Sequence, residues 1–299
     1  MRRALPLLFV AALVGACSTG SPTAPRSSGR ISVVAAEDFW GSIARQLAGD
    51  RADVQSLITN PATDPHDYEP TAGDARAVAT ARVVITNGIG YDPWIDKLLA
   101  ANPAPGRIVL QVGELLGLKE GDNPHQWYSP AAVDKVIGAV VEHLRQADPA
   151  HAGDYDRQRA TFEATLAPYR DAVTIIKRTY ADTPIGATES IVSPLAGALG
   201  LQLVTPPAFL DAISEGSDPT SADKTTVDRQ IRTKAIKVFV FNSQNATPDV
   251  QRLVEEAKTE GIPIVTVTET LTPKGASFQD WQTRQLDALR AALASETGR

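Results

Sequence analysis

The stretch Ile31–Ile58, ISVVAAEDFWGSIARQLAGDRADVQSLI, decides the fold. It opens on a β-branched run, Ile31–Ala35, that reads as a strand. It passes into Phe39–Leu47, where Phe39, Ile43 and Leu47 recur at helical spacing, and ends on a second strand-like run, Val54–Ile58. Strand, helix, strand in so short a length is the unit of an α/β architecture, because two parallel strands can be joined only by a crossover.

The alternation continues outward from there. Strands are expected at Arg82–Thr86 and Ile108–Val112, with helices beginning near Thr71, near Trp94 and at Ser129-Pro130. Thr71 and Asp74 have the spacing of a capping box. Ser129 suits the N-cap and Pro130 the first helical turn. Asn87-Gly88-Ile89-Gly90 lacks the third glycine of a dinucleotide fingerprint, since position 93 is proline, and reads as a tight turn. Phe162, Leu166, Tyr169, Val173, Ile176 and Tyr180 then mark one face of a long helix within Gly153–Tyr180, roughly 40 Å if straight. Pro168 should bend it. Beyond it come strands at Ile185–Thr188, Gln202–Thr205, Lys237–Phe241 and Ile264–Val267, interleaved with helices. The expected fold is therefore α/β: two similar lobes with mainly parallel four-stranded sheets, joined by a long spine helix. The expected boundaries are a lobe over residues 31–150, the spine over 151–182 and a second lobe over 183–297.

Composition agrees with this and narrows function. A chain of 299 residues, 43% hydrophobic, is long enough for two core-bearing lobes. A net charge of −6 with no basic stripe argues against a nucleic-acid partner. Arg2, Arg3 and the apolar run Ala4–Ala16 suit an export signal, being too short for a stable bilayer span. Cys17, the only cysteine, follows Val14-Gly15-Ala16 and resembles the lipidated cysteine of a bacterial lipobox, which makes residues 1–17 a lipoprotein signal peptide. The Ser/Thr/Pro/Gly-rich residues 18–30 read as a flexible tether. These features predict a protein held by its acyl chain on the outer face of the cytoplasmic membrane.

Two of the four histidines lie in an echoed loop motif: His66 in DPHDYEP, Asp64–Pro70, and His125 in NPHQWYSP, Asn123–Pro130. Each follows a proline and sits between a strand and a helix, where open α/β sheets place ligands. Imidazole is the commonest metal-ligating side chain. In the second half Glu189 follows the strand Ile185–Thr188, and Glu269 follows Ile264–Val267. Two imidazoles and two carboxylates at strand ends would converge on an interlobe cleft as a metal site; the competing reading leaves both glutamates solvated in loops.

Five segments carry a resemblance: DPHDYEP, VVITNGIGYDPWIDKLL, NPHQWYSP, ATES and IPIVTVTETL. From Ile31 to about Leu293 the chain resembles the metal-binding solute-binding proteins of bacterial ABC importers, the cluster A-I zinc/manganese family. The resemblance implies that His66, His125, Glu189 and Glu269 are the metal ligands, with Glu269 standing where aspartate is usual. It implies a monomeric, non-enzymatic carrier of Mn2+ or Zn2+, whose partners are an ABC permease and a separate ATPase chain and whose only membrane contact is the lipid at Cys17. Carboxylate oxygen suits manganese, and the chain lacks the histidine-rich loop of many zinc members, so manganese is favoured over zinc. A zinc-specific carrier of the same family is the alternative. A metal-dependent hydrolase and a surface adhesin are further ones, although the chain has no HExxH or GxSxG motif.

Overall fold

A computed structural model describes residues 29–299, with positions 62, 64, 66 and 67 excepted. The expectations for the export signal, Cys17, nearly all of the tether, Asp64, His66 and Asp67 fall outside the described residues.

The first lobe runs β1 (Ile31–Glu37), α1 (Asp38–Ala48), β2 (Ala52–Ile58), α2 (Ala72–Thr80), β3 (Val83–Thr86), α3 (Pro93–Ala101), β4 (Ile108–Gln111), α4 (Val112–Leu116) and α5 (Pro130–Ala147). Its strands form one parallel sheet in the order β2-β1-β3-β4, with Val33 level with Val54 on one side and Val83 on the other. Successive side chains of a strand point to opposite faces. Accordingly Val33, Ala35, Val83 and Ile85 enter the main core, whereas Val34, Ala36 and Val84 pack with Trp94 and Ile95 on the other face. Continuous apolar runs are the mark of a sheet covered on both sides. The capping box at Thr71 and Asp74 is formed, and Ser129 caps α5 with Pro130 in its first turn.

Two helices, α6 (Ala152–Thr165) and α7 (Ala167–Tyr180), replace the single bent helix expected over Gly153–Tyr180. The break is at Leu166, a turn residue with φ −78° and ψ −6° between the two helices. Pro168 is the cause: it has no N–H to give the carbonyl of Ala164, and its ring crowds that carbonyl, so it is tolerated only in a helix's first turn. The apolar face survives the break. Phe162, Leu166, Tyr169, Ile176 and Tyr180 are all buried.

The second lobe repeats the plan with β5 (Pro184–Ala187), α8 (Ser193–Leu199), β6 (Gln202–Leu203), α9 (Pro207–Ser214), α10 (Ser221–Arg232), β7 (Val238–Asn242), α11 (Pro248–Thr259), β8 (Ile264–Val267) and α12 (Phe278–Thr297). Its parallel sheet has the order β6-β5-β7-β8, the same order as the first. The short helices α4 and α9 were not expected from the sequence. α8 begins at Ser193, with Val192 in the cap position and Pro194 in the first turn.

One buried apolar cluster runs from Val33, Phe39 and Trp127 through Leu166 and Tyr169 to Phe239, Phe278 and Trp281. The lobes therefore share a core. In each sheet the strand order reverses beside its first strand, between β1 and β3 and between β5 and β7. The carboxyl ends of those strands are where open α/β sheets leave a crevice.

Candidate metal centre

His125 is fully buried in the connection between β4 and α5. A single 3-10 turn, Gln126–Tyr128, follows it. The Oδ1 of Asn123 accepts from the His125 backbone N–H and lies 2.9 Å from its ring Nδ1. An acceptor on Nδ1 fixes the tautomer with its proton there, so the lone pair resides on Nε2. The loop is clamped from below by Asn87 at the end of β3. Its Nδ2 donates to the carbonyl of Pro124 at 3.0 Å, and its Oδ1 accepts from the indole of Trp40 at 3.1 Å. The Asn87 turn itself closes on Asp92, whose carboxylate accepts the backbone N–H groups of Asn87 and Gly88 at 2.8 and 2.7 Å. Gly88 (φ +73°) and Gly90 (φ +82°) supply the left-handed conformations this turn needs. Beside it Glu37 is completely buried, and burial, reinforced by the negative charge of Asp92, pushes its carboxyl well above the usual carboxylate range.

Glu189 and Glu269 are buried as well, with 1% and 3% of their surfaces exposed. Both are held on their carboxylate oxygens. Asn242, the last residue of β7, donates from its Nδ2 to Glu189 Oε1 at 2.6 Å and to Glu269 Oε1 at 2.9 Å. Asn245 donates to Glu189 Oε2 at 2.9 Å, and the phenol of Tyr91 reaches across from the first lobe to Glu269 Oε2 at 2.7 Å. The Glu269 backbone is fixed by Gln244, whose Oε1 accepts from the N–H groups of Glu269 and Thr270. Its Nε2 donates to the carbonyl of Thr63 in the first lobe. Leu271 N–H donates to the carboxylate of Asp38 at the start of α1. Burial pushes the Asp38 carboxyl up to about 6.

These supports converge. His125, Glu189 and Glu269 each offer a ligand atom, and the three atoms lie within 4.8 Å of one another. An imidazole and two carboxylates at that separation can share one cation. Of the four residues expected at the centre, the structure thus brings together three, one from the first lobe and two from the second; His66 lies outside the described residues. A cavity of about 390 Å³ adjoins the cluster, lined by Tyr91, Asn123 and Ser190 and bearing Glu120, Asp122, Asp211 and Glu215. His143 and His151 stand on α5 and on the turn before α6, and His151 pairs with Asp148.

The sequence reading missed the residues that orient the carboxylates: Asn242, Gln244, Asn245 and Tyr91. One signal was available. The run NSQN, Asn242–Asn245, follows the apolar VFVF at the same place in the second lobe as Asn87 holds in the first.

A family model described as zinc-uptake complex component A, periplasmic, matches residues 33–292. The chain belongs to this family. Among curated relatives, the zinc-binding lipoprotein AdcA of Streptococcus pneumoniae is 24% identical over 97% of this chain, which spans 61% of that protein's length. The metal ABC transporter substrate-binding lipoprotein FimA of Streptococcus parasanguinis is 26% identical over 96% of this chain and 97% of its own. Among solved structures, the solute-binding protein FpvC of Pseudomonas aeruginosa, in complex with Mn2+, superposes with a TM-score of 0.72. It is 23% identical over 89% of this chain and 99% of its own. A Mn-bound periplasmic metal-binding protein of Candidatus Liberibacter asiaticus gives 0.75 at 19% identity over 88% and 100% of the two chains. At such identity these likenesses establish the two-lobed fold.

Proposed function

We propose that this protein captures a divalent transition-metal ion outside the cytoplasmic membrane and delivers it to an ABC-type importer. His66, His125, Glu189 and Glu269 are its ligands and Mn2+ is favoured over Zn2+. The observation that carries this reading is the buried convergence of His125, Glu189 and Glu269 within 4.8 Å. Two carboxylates balance the charge of a divalent ion, and burial strengthens their attraction for it. The acidic residues around the adjoining cavity raise the local cation concentration at its mouth. FimA, named as a substrate-binding lipoprotein of a metal ABC transporter, supports an ABC permease and its ATPase as partners and a lipid-anchored carrier; on this reading the protein acts as a monomer held by lipid on Cys17.

Four protein ligands close the coordination sphere, whereas catalytic metal sites keep a position open for water or substrate. That favours a carrier over a hydrolase. Cargo identity is the finer part of the reading. The carboxylate pair favours manganese; zinc is favoured by the imidazoles and by its place in the affinity order of divalent metals.

The test is chelation of the purified protein followed by competitive reloading with Mn2+ and Zn2+, read by calorimetry and metal analysis. One equivalent should bind, and His125→Ala should lose it. A His125→Ala variant that binds as the parent does would overturn the site. Zinc held far tighter than manganese, together with zinc-dependent growth defects in a deletion strain, would assign the cargo to zinc.

A further inference from the structure

We infer that the side-chain amides of Asn242 and Asn245 form a clamp that sets the metal preference of the centre by fixing the orientation of the two carboxylates. The inference rests on the ligand assignment above.

Asn242 is completely buried, and its amide is oriented by its own partners. Its Oδ1 accepts from the backbone N–H of Gln244 at 3.0 Å, and its backbone N–H donates to Thr188 Oγ1 at 3.2 Å. That leaves Nδ2 facing the cluster with two hydrogens, one for each carboxylate. It bridges Glu189 and Glu269 from the end of the strand that separates β5 from β8 in the sheet. Asn245 spends its two hydrogens on the other oxygen of Glu189 and on the carbonyl of Ile213, both at 2.9 Å. Glu189 is therefore gripped on both oxygens by amides, and Glu269 on one by amide and on the other by the Tyr91 phenol. A carboxylate has about four acceptor directions, and a hydrogen bond on each oxygen fixes its plane. The donors are neutral. They orient the carboxylates without cancelling the charge that attracts the ion, as an arginine or lysine would.

The consequence differs between metals. A hard ion such as Mn2+ draws most of its binding from carboxylate oxygens, whereas Zn2+ draws strongly on imidazole nitrogen. Freeing the carboxylates should therefore weaken manganese binding more than zinc binding. Partners of metal ligands contribute about 10–100-fold in affinity elsewhere.

The experiment compares parent, Asn242→Ala, Asn245→Ala and His125→Ala in the full chain, titrated with Mn2+ and, by competition with a chelator, with Zn2+. The two asparagine variants should lose about 10–100-fold in Mn2+ affinity and only a few-fold in Zn2+ affinity, moving the preference about tenfold toward zinc. A merely structural role would weaken both metals by the same factor. Equal weakening, or none, in the variants that melt cooperatively overturns the clamp. If Asn242→Ala does not fold, the half-buried Asn245→Ala decides alone. Retention of both metals by His125→Ala would instead overturn the site reading and the clamp with it, while loss there beside equal weakening in the asparagine variants removes the clamp alone.

Discussion

Single side chains in this protein do work that depends on who faces them. Tyr91 belongs to the first lobe, yet its hydroxyl donates to Glu269 in the second at 2.7 Å. Removing that donor leaves the aromatic ring in its buried place. Tyr91→Phe should therefore keep the fold while lowering metal affinity about 10-fold, the value of one hydrogen bond to a charged group; calorimetry with the parent as reference checks it. Asp38 makes a different prediction. Its carboxyl is raised from 3.8 to about 6 by burial, so the folded chain holds that proton more tightly than the unfolded chain does. Its contribution to stability is then fully present below pH ~4 and is lost as pH rises through about 6. Burial of Glu37 and Asp92 acts in the same direction, while half-buried Asp154 and Asp249, held low by Arg51 and Lys224, act against it. Asp38→Asn keeps an oxygen for the Leu271 N–H and removes the titration. Its melting temperature should fall less than the parent's between pH 4 and 6, and at pH 7 it should gain about 1–3 kcal/mol in denaturant titrations. An unchanged pH profile would contradict the assignment of that slope to Asp38.

At the scale of elements, the connection α6–α7 shows how one residue type divides what periodicity joins. The apolar spacing from Phe162 to Tyr180 described a single face, and the face is real, because Leu166 at the break is itself fully buried. Pro168 stands in the first turn of α7, where a missing N–H costs nothing. Pro168→Ala should accordingly change stability by less than about 1 kcal/mol, whereas Leu166→Ala should cost about 2–5 kcal/mol by opening a cavity in the shared core. Chemical denaturation of the two variants side by side distinguishes them. Equal effects would mean that the break, rather than the packing at it, governs the stability of this region. The loop elements follow the same logic. Each expected ligand among the described residues follows a strand, and each is fixed by a partner on the next strand over. Asn87 at the end of β3 secures the His125 loop, and Asn242 at the end of β7 secures both glutamates.

For the whole molecule, the two lobes are tied by polar bonds as well as by core. Tyr128 donates to the carbonyl of Thr268 at 2.9 Å, Gln279 pairs with Gln46, and Phe278 N–H donates to Ser42 Oγ at 3.0 Å. Asn123 Nδ2 donates to the carbonyl of Ser190 at 2.8 Å. With one apolar cluster continuous across them, the lobes should unfold together. Calorimetry of the metal-free protein should give a single transition whose calorimetric and van't Hoff enthalpies agree; two resolved transitions would contradict a shared core. On the proposed reading, added metal should raise that transition as its concentration exceeds the dissociation constant. Metal release should then proceed by movement of the Glu189 and Glu269 loops rather than by wide rotation of the lobes, which small-angle scattering with and without metal would register as nearly equal radii of gyration.

The architecture was legible in the chain's local patterns. Eight short apolar runs interleaved with helical periods admit little but two parallel sheets, since period and crossover length are local properties that survive without knowledge of contacts. The sequence also marked the His125 loop, because proline, N-cap and histidine are neighbours in the chain. It could not reveal that Leu166 ends a helix, where a proline in the next helix's first turn and a buried side chain had to be weighed together. Nor could it reveal the cluster's supports. Tyr91 and Glu269, or Asn242 and Glu189, are far apart in sequence, and an asparagine after a strand is by composition an ordinary turn residue. Only the tertiary structure turns Asn242 toward two carboxylates at once, because a hydrogen bond's worth depends on distance, direction and burial, and those are set by how two sheets are packed.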